Sequence, residues 1–167
     1  MPSIEKNYIL SADAAKKKMR RMAYEILENN TEADHILFAG IAENGLVVAR
    51  AIAAIVHEIS GKSTDVITLS LDKKHPSVVT TDRPVDFNDQ VVIIVDDVTN
   101  SGKTLTYALK PILEAYPRKI QTLVMVERSH KKYPVHPDYV GVSLSTFLHE
   151  HIFVEVTGET IEGAYVV

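Results

Sequence analysis

The segment Val91 to Thr104, VVIIVDDVTNSGKT, constrains the fold of this chain more than any other stretch. Val91 to Val95 are consecutive apolar residues, mostly β-branched, as in a strand buried on both faces of a parallel sheet. The strand is expected to end at Val95. Asp96 and Asp97 follow, and the small polar residues Thr99, Asn100, Ser101, Gly102 and Thr104 then lead into a helical pattern. Strand, loop and helix in that order deliver the loop to the C-terminal edge of a parallel sheet. There the backbone N–H groups and the positive end of the following helix face a ligand, and a phosphate suits the position. A nucleotide-triphosphate loop shares the ending Gly102-Lys103-Thr104 but needs a glycine where Asp97 stands. Ionised carboxylates accept hydrogen bonds and donate none, so two of them beside a phosphate cradle match vicinal hydroxyls next to a phosphate, the pattern of ribose 5-phosphate. The plainer alternative is that Asp96 and Asp97 cap the helix and Gly102 makes a turn.

Strand-loop-helix recurs upstream. His35 to Ile41, HILFAGI, holds a second buried strand from Ile36, and Ala42-Glu43-Asn44-Gly45 separates it from a helix spanning about Leu46 to Ile59. Its loop reaches the same sheet edge and faces the ligand position from the other side. Val66 to Leu71 is a third strand, after which Asp72 to Gln90, with Pro76 and Pro84, reads as a long loop of the kind that serves as a lid or hairpin. Lys73, Lys74, His75 and Arg83 are its cations, either solvated or available to stabilise a leaving group. A helix from Leu105 to Ala115, a strand from Thr122 to Val126 and a last strand pair, Tyr139 to Ser143 and Ile152 to Val156, complete the α/β pattern. Ahead of all these, Ser11 caps a helix running to Asn29, with Ala15, Met19, Met22, Tyr24, Ile26 and Leu27 on one face. Lys16, Lys17, Lys18, Arg20 and Arg21 lie on its other face, which fits both a solvated surface and a nucleic-acid contact.

At 167 residues, 46% hydrophobic and 24% charged, the chain suits one well-filled domain. The lack of cysteine excludes disulfides and thiolate metal sites, and no apolar run reaches the roughly 20 residues of a membrane span. A soluble cytoplasmic protein without a membrane partner is expected, and a net charge of −4 argues against indiscriminate nucleic-acid binding.

The signature segment resembles the phosphoribosyl-pyrophosphate motif of type I phosphoribosyltransferases: apolar residues, two acids, a short variable stretch, Thr or Ser, Gly, any residue, Thr. Nearly the whole chain, from ILSADAAKKKMRRMAYEILENN through ERSHKKYPVHPDYVG, is similar to the pyrimidine operon attenuators that double as uracil phosphoribosyltransferases. The resemblance implies a single domain over residues 1–167, with a central, mainly parallel sheet flanked by helices and a small hood carried by the 72–90 loop. It makes Asp96 and Asp97 the catalytic-site acids that hold the ribose hydroxyls. Thr99, Asn100, Ser101, Gly102, Lys103 and Thr104 bind the 5′-phosphate, and Ala42, Glu43, Asn44 and Gly45 form the pyrophosphate loop. It further implies Mg²⁺ bound with phosphoribosyl pyrophosphate, a nucleobase or nucleotide ligand, RNA as a partner, and a homo-oligomer of two or more chains. Relatives often carry Lys or Arg in the pyrophosphate loop and can form a non-proline cis bond there. Here Ala42, Glu43 and Asn44 stand instead, which leaves more of the binding to backbone N–H groups and requires Mg²⁺ or an outward rotamer beside Glu43.

Purine-salvage relatives place an acid in the phosphate loop and a lysine after the next strand, where this chain has Asn100 and Glu127. A neutral amide is a poor proton acceptor and a carboxylate repels a carbonyl oxygen, so a pyrimidine is favoured, uracil first, over a 6-oxopurine. Glu127, Arg128 and Phe147 are the candidate base pocket, Phe147 serving either to stack on the base or to fill the core. The competing function is an RNA- or nucleotide-binding regulator of pyrimidine genes with weak or no catalysis.

Overall fold

The computed structural model describes residues 3–167. In chain order the elements are β1 (Asn7–Ser11), α1 (Ala12–Asn29), β2 (His35–Ile41), α2 (Asn44–Ser60), β3 (Ser63–Leu71), β4 (Val79–Thr81), β5 (Val91–Thr99), α3 (Lys103–Ala108), α4 (Lys110–Leu113), β6 (Lys119–Arg128), β7 (Tyr139–Leu144), β8 (Ile152–Thr157) and β9 (Thr160–Val166). A six-stranded sheet has the order β4-β3-β2-β5-β6-β7, and a separate three-stranded sheet the order β1-β9-β8. The large sheet is parallel throughout except where β4 runs against β3. Among the described residues, no helix is long and apolar enough to cross a membrane.

Alternation along the central strands divides the core in two. Ile36 and Phe38 of β2 and Val91, Ile93 and Val95 of β5 pack with α1, α2 and the small sheet. Leu37, Ala39 and Ile41, with Val92 and Ile94, pack on the other face with Leu105, Ala108 and Ile112 from α3 and α4. Each buried Val, Ile or Leu contributes about 1.5–3 kcal/mol, which is why these strands read as continuous apolar runs. Ser11 caps α1 as expected, its Oγ accepting the N–H of Ala14 at 3.1 Å.

Four expectations are corrected. The signature strand does not stop at Val95: β6 offers a parallel ladder further along, with Asp96 opposite Val124, Val98 opposite Val126 and Thr99 opposite Glu127. Both acids therefore sit on the strand. The helix expected over 105–115 is two short ones, since Pro111 lacks the N–H that would bond back to Tyr107. The 72–90 segment, read as a lid or hairpin and as the carrier of the hood, turns at 72–78 and returns as β4, with Leu69 opposite Thr81 and Leu71 opposite Val79, so it is the hairpin, at the edge of the main sheet, and not the hood. Finally, Tyr139–Ser143 and Ile152–Val156 are not a pair, because β7 lies parallel to β6 whereas β8 joins β9 in the small sheet. That small sheet takes the place expected of the 72–90 loop as the hood over the sheet edge, with β1 and β9 brought together from opposite ends of the described chain.

Candidate active site

The site begins where β5 ends. Asp96 is almost completely buried, its side chain only 1% exposed, while that of Asp97 is 15% exposed. Each carboxylate is fixed by the backbone that follows it: Asp96 Oδ1 accepts the N–H of Asp97 at 2.8 Å, and Asp97 Oδ1 accepts that of Val98 at 2.7 Å. Lys73, from the turn after β3, donates to Asp96 Oδ1 at 3.2 Å and lies 3.8 Å from Asp97 Oδ1. Burial first, and then the neighbouring Asp97, push the Asp96 carboxyl well above the usual carboxylate range, against the pull of Lys73. For Lys73 burial acts downward, but the two carboxylates outweigh it and leave the ammonium above its ordinary value.

The second wall is the loop between β2 and α2, where the Ala42–Glu43 peptide bond is cis. Asn44 opens α2 and donates its Nδ2–H to Asp97 Oδ2 at 3.2 Å and to the carbonyl of Val154 in β8 at 3.1 Å, joining acid, helix and hood. Gly45 is required by proximity: a Cβ there would lie 2.7 Å from the Val95 carbonyl oxygen and 3.0 Å from Asp96 Cα. The absence of a side chain lets the first turn of α2 rest against the end of β5.

The third wall is the loop from Thr99 to Thr104. Gly102 has φ +84, a conformation that glycine adopts without cost, and a Cβ on it would stand 2.9 Å from the Val135 carbonyl. The Ser101 carbonyl accepts the N–H groups of Lys132 and Tyr133 at 2.9 and 3.0 Å, and Thr106 Oγ1 donates to the Gly102 carbonyl at 2.7 Å. Asn44, Lys73, Asp97, residues 98–104 and Ile152, Phe153 and Val154 surround a cavity of about 350 Å³. One polar cavity thus holds the partly exposed acid Asp97, Lys73, the loop residues 99–104 and Asn44. Among the described residues, no group of three or more His, Cys, Asp or Glu side chains could hold a metal, and the acidic pair already shares Lys73.

A family profile described as "Phosphoribosyl transferase domain" matches residues 6–159. The chain belongs to the phosphoribosyltransferase domain family. Within that family it is 34% identical over 160 residues to the bifunctional protein PyrR of Limosilactobacillus fermentum, covering 89% of each chain. It is also 34% identical over 172 residues to that of Latilactobacillus sakei subsp. sakei, covering 92% of this chain and 96% of the relative. Among solved structures, a hypoxanthine-guanine phosphoribosyltransferase of Bacillus anthracis superposes with a TM-score of 0.75 at 17% identity, over 95% of this chain and 96% of that one. The hypoxanthine phosphoribosyltransferase of Trypanosoma cruzi gives 0.74 at 12%, over 83% and 82%. At those identities the structural likeness is one of fold.

Against this phosphoribosyltransferase frame, the three residues expected around the base stand apart from the cavity and next to one another. Arg128 is buried and donates through Nε to Thr146 Oγ1 and through Nη2 to the Phe147 carbonyl, so it ties the 145–150 loop to the end of β6. Glu127 accepts from Ser143 Oγ at 3.0 Å and lies 3.5 Å from Lys131 Nζ. Phe147 is 71% exposed and stacks on His149 with ring centroids 5.8 Å apart, so the core role open to it in the sequence is not the one it has. Sequence reasoning placed Lys73 among loop cations without a partner and gave Asn44 no link to the acids. The hood residues Ile152–Val154 carried no signal beyond strand periodicity.

Proposed function

We propose that this chain transfers ribose 5-phosphate from phosphoribosyl pyrophosphate to a nucleobase, with uracil as the favoured acceptor. The observation that carries the reading is the partly exposed acid Asp97 in one cavity with the loop 99–104 and Asn44, beside the buried Asp96. In the reaction the anomeric C–O bond to pyrophosphate breaks and a C–N bond to the base forms, with positive charge developing on the ribose. Asp96 and Asp97 accept hydrogen bonds from the ribose hydroxyls, Thr99 to Thr104 hold the 5′-phosphate, and Ala42 to Gly45 face the pyrophosphate with its magnesium ion. Catalysis by this set is positioning and charge stabilisation, the backbone having placed the groups beforehand.

For the base side we propose the junction of Glu127 and Arg128 with Phe147, which the Arg128 tether to the Phe147 carbonyl supports. Asn100 in the phosphate loop, where a purine enzyme needs an acid, supports a pyrimidine. The test compares product formation from phosphoribosyl pyrophosphate with uracil, hypoxanthine, guanine and xanthine. Uracil is expected to react fastest; a faster reaction with hypoxanthine or guanine would overturn the assignment.

A second reading, RNA binding by α1, draws on one observation. Lys16, Lys17 and Arg20 are exposed, and the Arg20 guanidinium lies 5.8 Å from the centroid of the half-exposed Tyr24 ring, presenting charge and an aromatic face together.

A further inference from the structure

Lys73 is the cation that the chain itself places on the acidic pair. Its Nζ lies 3.2 Å from Asp96 Oδ1, 3.4 Å from Asp96 Oδ2 and 3.8 Å from Asp97 Oδ1. With its side chain 47% exposed over carboxylates that are 1% and 15% exposed, it approaches from the solvent side and covers the pair. The turn that carries it, residues 72–78, is held to the phosphate-loop side by two further lysines. Lys103 Nζ donates to the Lys74 carbonyl at 3.3 Å, and Lys110 Nζ donates to the Ser77 carbonyl. The 42–45 loop on the opposite side contributes Glu43 and Asn44 and no cation.

Two adjacent carboxylates with a free approach attract divalent cations, which bind oxygens at roughly 2.0–2.6 Å. An ammonium in that approach both occupies it and cancels part of the field. We propose that Lys73 is a built-in counter-ion that keeps free divalent metal off Asp96 and Asp97. It yields the pair only to a ligand bringing hydroxyls for the carboxylates and phosphate oxygens for the displaced ammonium. The inference deepens the phosphoribosyl-pyrophosphate reading and rests on it for the identity of that ligand, though not for the exclusion of metal. Lys73 is then a positioning residue, and magnesium enters the site with the pyrophosphate.

The test is Mn²⁺ binding to the full chain without phosphoribosyl pyrophosphate, followed by electron paramagnetic resonance, for wild type, Lys73→Met and Lys73→Arg. Lys73→Met is expected to bind one Mn²⁺ roughly tenfold or more tightly than wild type, because removing a unit charge at this range changes the local field strongly. Lys73→Arg should behave as wild type, and adding Asp96→Asn to Lys73→Met should abolish the gain. Circular dichroism verifies folding, and Lys73→Gln replaces Lys73→Met if the latter does not fold. Equal Mn²⁺ affinity of Lys73→Met and wild type, or a gain in Lys73→Arg as large as in Lys73→Met, overturns the proposal. A separate titration of wild type with phosphoribosyl pyrophosphate keeps the two readings apart: failure there with the Mn²⁺ contrast intact removes the proposed ligand and leaves the counter-ion standing.

Discussion

Asp96 combines a place beside the candidate site with an energetic cost. Its carboxyl is raised by burial and by Asp97, so the folded chain holds that proton to higher pH than the unfolded chain does. Folded protein then binds more protons than unfolded across the interval, and stability falls as pH rises from the unfolded value, about 4, through the raised folded value. Asp96→Asn removes that loss. The variant is expected to melt above wild type at neutral pH and to lose this advantage below about pH 4, where both states of Asp96 are protonated; thermal denaturation across pH reads it. An advantage that persists unchanged at low pH would assign the effect to something other than ionisation. Gly45 is the neighbouring test of close packing. Both nearest obstacles to its Cβ belong to backbone that a rotamer change cannot relieve, so Gly45→Ala should cost about 1–3 kcal/mol in denaturant unfolding. The acids were legible in the sequence because they interrupt an apolar run. Lys73 was not, since its partner lies 23 residues away across a chain reversal whose closure no local pattern encodes.

Elements differ in how far their sequence reveals them. Termini of β2 and α1 follow from buried periodicity and the Ser11 cap, whereas α2 begins at Asn44, taking in two residues read as loop, and the true end of β5 depends on the ladder offered by β6, a tertiary fact. The strand signal fades at Asp96 even though the strand continues. For α1, sequence showed the basic face but not which cations are committed. Arg21 donates to the Val140 and Gly141 carbonyls, both at 2.9 Å, and pairs with Glu25, so it holds α1 on β7. Arg20 is only loosely paired, 3.9 Å from Glu58 with both side chains exposed, so Lys17 and Arg20 are the residues with which to test RNA binding. A titration with single-stranded RNA at several salt concentrations should have a log–log slope near −0.7 for each phosphate contact, and replacing Lys17 and Arg20 by Ala should flatten it by roughly one to two contacts' worth. Transferase activity should be unaffected. An unaltered slope, or no binding by wild type, returns this face to solvated surface.

At the scale of the whole molecule, the order β4-β3-β2-β5-β6-β7 puts the loops after β2, β3, β5 and β6 at one edge of the sheet. The small sheet then closes over that edge through Val154 and Asn44. Parallel order was readable from repeated strand-loop-helix units. The hood was expected on the 72–90 loop and lies instead in the small sheet, because β1 is short and mostly exposed and gains its meaning only from β9 at the other end of the described chain. The central claim, that this edge holds the ribose of phosphoribosyl pyrophosphate on Asp96 and Asp97, is tested most directly by calorimetric titration of that ligand into wild type and Asp97→Asn. Loss of one charged hydrogen bond predicts weaker binding by about 1.5–3 kcal/mol with the fold intact. Unchanged affinity in Asp97→Asn, or no binding by wild type, would contradict it.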